Sequence, residues 1–129
     1  MAILGSSPPR EQRRYRRLKF ERPAEVRVVR APDRAAPSGI RLQGMLRDVS
    51  AAGLNFACGQ ALPASVLVHV DIALPERGRV FKLAGRTVRC ACRAGQFEIG
   101  IELVDRFRRR TAAWERMVFD ALRELNDPV

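Results

Sequence analysis

Arg13, Arg14, Arg16 and Arg17 surround Tyr15 in a run that also holds Arg10 and Lys19, so residues 10–19 carry six basic side chains against the one acid Glu11, net +5. Half of the formal net charge of +10 is held in those ten residues, and so local an excess of one sign points to an anionic partner. Of the 24 basic residues, 22 are arginine. A guanidinium offers a planar fork of donors and can stack on a flat ring, which an ammonium cannot do. The second group with chemical potential is Asp48-Val49-Ser50-Ala51-Ala52-Gly53. Asp48 accepts hydrogen bonds, Ser50 donates or accepts, and Gly53 permits close backbone approach or a positive φ. The same residues can equally form an Asx or Ser turn leading into the glycine.

Catalytic templates find little purchase. His69 is the one histidine, and it lies on the face of a strand-like run opposite the Val66, Val68, Val70, Ile72 and Leu74 stripe, with no Gly-x-Ser-x-Gly elbow in the chain. A surface or packed structural histidine is the expectation. No phosphate-cradling Gly-x-x-x-x-Gly-Lys-Ser loop occurs. Cys90-Ala-Cys92 lacks the two-residue spacing of zinc and redox motifs, so no metal site is expected. Cys58, Cys90 and Cys92 cannot all pair and read as reduced core residues. The expectation is a non-enzymatic protein with no catalytic residues, no metal and no cofactor.

The elements that must carry the two groups follow from hydrophobic periodicity. Residues 1–9 read as a flexible leader and residues 10–23 as a basic arm ended by Pro23. Residues 24–129 form the folded part, a single domain on length alone. Period-two alternation marks six strands, around Val26 and Val28, Ile40 to Leu46, Leu54 to Cys58, Val66 to Leu74, Val80 to Cys92 with Gly85 as a bulge or bend, and Phe97 to Leu103. The connections are short, save for a long loop over residues 31–39, and the strands are half apolar, which fits an antiparallel sheet. Closing the sheet into a barrel would remove its edges. Trp114, Met117, Val118, Ala121, Leu122 and Leu125 then fall on one face of a C-terminal helix at about residues 108–126. That helix either covers the barrel or offers a dimerisation surface.

With 47% hydrophobic and 29% charged residues, the composition is that of a soluble globular protein. No window holds the roughly 20 apolar residues of a membrane span, and the apolar start Met1 to Gly5 is too short for a signal peptide. The expected compartment is the cytoplasm.

Arg13-x-x-x-Arg17 ahead of a β domain, Asp48-x-Ser50-x-x-Gly53 at the junction of the second and third strands, and Gly100 in a final strand followed by a helix together resemble the PilZ family, over about residues 11–125. The resemblance implies a six-stranded antiparallel β-barrel with a C-terminal amphipathic helix and a flexible basic N-terminal arm. It implies a bacterial receptor for the second messenger cyclic di-GMP, in which Arg13 and Arg17 hold guanine and phosphate while Asp48, Ser50 and Gly53 line the opposite wall. Arg14 joins them as a candidate contact, and Arg89 stands where family members sometimes present an aromatic ring to the base. Gln12, just before Arg13, is at the position that influences whether one ligand or a stacked pair is held.

Arginine suits that ligand, because its fork can take guanine O6 and N7 together and its plane can stack on a purine. Arg30, Arg34, Arg47 and Arg93 read as surface composition. The expected partners are cyclic di-GMP and a downstream protein of motility, pilus or exopolysaccharide control, with the chain a monomer or homodimer. Two rivals are a basic β-barrel that binds nucleic acid and a ligand-independent PilZ-like interaction module. Against the first, aromatics are only 6% and no exposed aromatic pair marks a stacking platform. Against the second, both motifs are intact.

Overall fold

Alternating apolar and polar residues produce six strands: β1 (Leu18–Arg30), β2 (Arg41–Val49), β3 (Gly53–Cys58), β4 (Leu67–Leu74), β5 (Arg79–Arg93) and β6 (Gln96–Leu103). One helix, α1 (Arg108–Asn126), follows. The computed structural model describes residues 17–32, 36–104 and 108–126, and within α1 the side chains of residues 112–123. All neighbouring strands pair antiparallel, and the sheet closes into a barrel in the order β1-β2-β3-β6-β5-β4. Closure leaves no strand edge open, as the short connections had suggested.

The inward face of each strand supplies the core. Val26 and Val28 of β1, Leu46 of β2, Phe56 of β3, Val68, Val70 and Ile72 of β4 and Ile99 of β6 are all buried in one cluster. Thr87 ties the β3–β4 connection to the barrel, its hydroxyl donating to the Pro63 carbonyl at 2.6 Å and accepting from the Val66 amide at 2.9 Å. α1 packs against β1 and β5. Its buried face carries Trp114, Met117, Val118 and Leu122, so four of the six stripe positions dock on the barrel; Ala121 is half-buried and the Leu125 side chain lies outside the described residues. Trp114 is wedged edge-on between Phe20 of β1 and Phe81 of β5, with ring centroids 6.4 and 5.3 Å away.

Several expectations need correction. The arm does not run to Pro23, because β1 begins at Leu18, and Leu18 is buried while Phe20 is half-buried against the core. Lys19, Glu21 and Pro23 alternate with them on the outer face, a period-two signal hidden by the density of charge. Pro23 is tolerated in the strand since pairing with β4 starts only at Ala24. Gly85 forms no bulge. The irregularity of β5 falls between Thr87 and Arg89, while a Cβ on Gly85 would sit 2.5 Å from Ile101 Cγ2, so this glycine serves close strand packing. Cys58 is a core thiol as expected, but Cys90 and Cys92 are exposed, because residues 88–93 of β5 are exposed on both faces.

Candidate ligand-binding site

Asp48 and Ser50, two residues apart, end β2 in different environments. The Ser50 hydroxyl is buried within its own turn, accepting from the Ala52 and Gly53 amides at 3.3 and 3.1 Å, and the Ser50 amide donates to the Gly53 carbonyl at 2.9 Å. Serine is thus the frame of the turn. Gly53 is needed for proximity and not for a positive φ, since a Cβ there would meet the Ile101 carbonyl oxygen at 2.8 Å. Asp48 points the other way, to the outer surface. Arg17, just ahead of β1, donates from Nη1 to Asp48 Oδ1 at 2.5 Å.

The other Asp48 oxygen accepts from Asn55 Nδ2 at 3.4 Å, and the same amide donates to Glu98 Oε1 at 3.3 Å. Strand register explains the meeting. Lys19 pairs with Asp48, Asp48 with Asn55, Asn55 with Gly100 and Gly100 with Arg89, one continuous row across β1, β2, β3, β6 and β5. Cα partners share a face of the sheet, so these side chains emerge together. Arg89 lies flat over Gly100, its Cγ, Cζ and Nε 3.0 to 3.3 Å from where a Cβ would stand.

Arg47 reaches the same face by an irregularity. Register shifts lie between Leu46 and Asp48 in the β2–β3 ladder and between Lys19 and Arg22 in the β1–β2 ladder. Consecutive residues, which would alternate in a regular strand, therefore both face outward here. Arg47 spans the site, with Nη1 3.5 Å from Glu21 Oε2 and Nη2 donating to Gln96 Oε1 at 3.2 Å. Its Nε is buried and has no hydrogen-bond partner among the described residues. Arg93, near the β5–β6 turn, approaches Glu98 at 3.9 Å.

Together these residues line a groove of about 520 Å³, within the size range of small-ligand sites. Four cations (Arg17, Lys19, Arg47, Arg93) face three carboxylates (Glu21, Asp48, Glu98) and the Asn55 amide. Such a lining offers forked donors to phosphate or to a base edge, and acceptors to ring N–H groups. Among the described residues no group of His, Cys, Asp and Glu could hold a metal ion, and no helix is long and apolar enough to cross a membrane.

Of the sequence candidates, the structure brings Arg17 and Asp48 into direct contact and sets Arg89 in the row beside them. Ser50 and Gly53 support from behind, and neither lines the groove. Gln12, Arg13 and Arg14 lie outside the described residues. Arg47 and Arg93, read from sequence as surface composition, are part of the lining. Lys19, Glu21, Asn55 and Glu98 were missed. Asn55 was within reach of period-two reasoning, two residues past Gly53 on the polar face of β3; Arg47 was not, because a bulge decides its direction.

A family model for the PilZ domain matches residues 11–120. The chain belongs to the PilZ domain family. No curated protein matches its sequence. Solved structures, PilZ domains among them, share the fold at low identity. The PilZ domain of CeSA from a cellulose-synthesizing bacterium is 22% identical with a TM-score of 0.59, the match covering 82% of this chain and 97% of that one. The PilZ domain of YcgR from Escherichia coli, solved with c-di-GMP, is 17% identical with a TM-score of 0.59, over 92% of this chain and 99% of that one. The MrkH–c-di-GMP complex of K. pneumonia is 13% identical with a TM-score of 0.68, over 88% of this chain and 53% of that one.

Proposed function

We propose that this PilZ chain is a receptor for cyclic di-GMP, taken up in the groove between the end of the arginine arm and the outer face of β2, β3 and β6. One observation carries the reading: Arg17, the second arginine of the Arg-x-x-x-Arg motif, is hydrogen-bonded to Asp48, the first residue of the Asp-x-Ser-x-x-Gly motif. Residues of the two motifs, 31 positions apart in sequence, are thus in direct contact. PilZ structures solved with c-di-GMP support the ligand's identity.

In this reading Arg17, with Arg13 and Arg14 of the arm, exchanges its contact with Asp48 for phosphate and guanine. Asp48 is then released to accept from guanine N1 and N2. Arg47 and Arg93 supply charge for the second phosphate, and Arg89 offers a planar guanidinium to stack on a base. Ordering of the arm changes the surface that a downstream protein of motility, pilus or exopolysaccharide control would read. The protein acts by binding and not by catalysis, in the cytoplasm.

Isothermal titration with cyclic di-GMP tests the proposal. Arg17→Ala and Asp48→Ala should each abolish the binding heat while leaving the thermal transition close to wild type, since a half-exposed ion pair contributes no more than about 1 kcal/mol. A well-folded wild-type protein that gives no heat would refute it. The stoichiometry from the same titration tests the role of Gln12.

A further inference from the structure

The arginines of the described surface fall into two groups. Six face a carboxylate: Arg17 with Asp48, Arg22 with Glu76, Arg41 with Glu25, Arg47 with Glu21, Arg93 with Glu98 and Arg123 with Asp120. Arg27, Arg30, Arg77, Arg79, Arg86, Arg89 and Arg116 are exposed and make no ion pair among the described residues. Of these, Arg27, Arg30 and Arg86 are neighbours. Arg30 pairs with Leu67 and Leu67 with Arg86 across β1, β4 and β5; in the next row of the same face Arg41 pairs with Arg27 and Arg27 with His69. Strand spacing sets Arg30 and Arg86 about 10 Å apart and the two rows about 7 Å apart.

Cations outnumber carboxylates in the patch. Arg27 donates from Nη2 to His69 Nδ1 at 2.7 Å, so that ring nitrogen is an acceptor. Glu25 borders the patch but is shared between Arg41 at 3.8 Å and Gln43 at 2.6 Å, and Glu102 stands across from Arg86 on its far side. Two apolar side chains lie among the guanidiniums. Val29, displaced by the register shift between Val28 and Arg30, is 39% exposed, and Leu67 is half-buried.

We infer that this face adsorbs to an anionic lipid surface. Guanidiniums with no carboxylate partner among the described residues, on the outside of a barrel, offer charge to a plane of phosphates, each worth about a fivefold gain in binding near such a surface. Val29 and Leu67 have a use at a headgroup boundary and none against a nucleic-acid backbone. No Phe, Tyr or Trp belongs to these rows, and the one ring, His69, is hydrogen-bonded to Arg27, so the face lacks the paired stacking platform of a single-strand binder. The position is also suitable. Along β1 the groove uses Lys19 and the patch residues eight to eleven positions on, about 25–35 Å away, while along β5 Arg86 stands about 10 Å from Arg89. A chain adsorbed through the β1 end of this face keeps the Lys19 end of the groove open.

The test is co-sedimentation of the full chain with phosphatidylglycerol-containing vesicles and with pure phosphatidylcholine vesicles, with duplex DNA titrated at the same salt. Binding is expected to the anionic vesicles alone, falling about 100-fold in Arg27→Gln/Arg30→Gln/Arg86→Gln. The single variant Arg86→Gln should lose about fivefold, and guards against any folding defect of the triple variant. An Arg13→Ala/Arg14→Ala/Arg17→Ala protein should keep the part of the binding that depends on Arg27, Arg30 and Arg86. The inference is overturned if the triple variant binds as wild type does, if the arm accounts for all the binding, or if duplex DNA binds through the same three arginines more tightly than the vesicles. Cyclic di-GMP titration of the triple variant is independent of these outcomes, so the lipid and nucleotide readings can fail separately.

Discussion

The Trp114 indole N–H donates to the backbone carbonyl of Ser50 at 3.2 Å, across 64 positions of sequence. It joins the C-terminal helix to the turn that positions Asp48. Trp114 is fully buried against Phe20 and Phe81, so the bond forms in a dry setting where an unmet carbonyl is costly. Trp114→Phe keeps most of the ring and removes the donor. It should lower stability by about 1–3 kcal/mol, several degrees in Tm for a chain of this size, and also weaken cyclic di-GMP binding by loosening the turn. A melt and a titration superimposable on wild type would show that the helix and the turn are not coupled.

Two glycines on the strands should differ in how they tolerate alanine. A Cβ on Gly44 would lie 2.2 Å from the Ala57 carbonyl oxygen and 2.7 Å from the Phe56 ring. Backbone and a core ring cannot give way cheaply, so Gly44→Ala should cost about 1–3 kcal/mol or more. On Gly100 the nearest atoms are those of the Arg89 side chain at 3.0 to 3.3 Å, which can swing aside. Gly100→Ala should melt close to wild type yet alter cyclic di-GMP affinity by moving Arg89. Equal losses of stability in the two variants would contradict this account.

Thiol labelling separates the cysteines. Burial pushes the Cys58 thiol up from its ordinary value, so it stays protonated and shielded, although it donates to the Gln60 carbonyl at 3.1 Å. Cys90 and Cys92 are exposed. Native protein should take up label rapidly at Cys90 and Cys92, and at Cys58 only on unfolding. Mass spectrometry of a brief alkylation reads this directly, and early labelling of Cys58 would argue that β3 opens locally.

The Arg22 fork holds Glu76 from β1, with Nε at 3.3 Å and Nη2 at 2.7 Å from Oε2, and this hydrogen bonding lowers the Glu76 pKa from 4.5. A carboxyl with a depressed folded pKa binds protons more readily in the unfolded chain. Its stabilisation is therefore complete above the ordinary glutamate value and is lost as pH falls through the folded pKa. Melting temperatures from about pH 6 to about pH 3 should fall less steeply in Glu76→Gln than in wild type. Because the pair is exposed the difference should be small, and parallel curves would count against any contribution from it.

Much of the fold was legible in the sequence because its signals are local. Strict alternation from Val66 to Leu74 gives β4, the stripe from Trp114 to Leu122 gives the buried face of α1, and Asp48 to Gly53 spells a turn whose hydroxyl closes on its own amides. The start of β1 was obscured because charged residues there occupy the outer face between Leu18 and Phe20. Short-range periodicity carries no sign of which strand lies beside which.

The two motifs and the local concentration of arginine were present in the sequence by itself, and with them the pull on an anionic partner. Tertiary structure alone decided the rest of the groove. Asn55 links Asp48 to Glu98 only because β3 lies between β2 and β6, and Arg47 joins them only because the ladders slip on either side of it. Likewise Arg27, Arg30 and Arg86 are scattered in the chain and become one face when β4 inserts between β1 and β5. Register is a property of pairs of strands distant in sequence, so the direction of a side chain at a bulge, and the company it keeps, exist only once the barrel has closed.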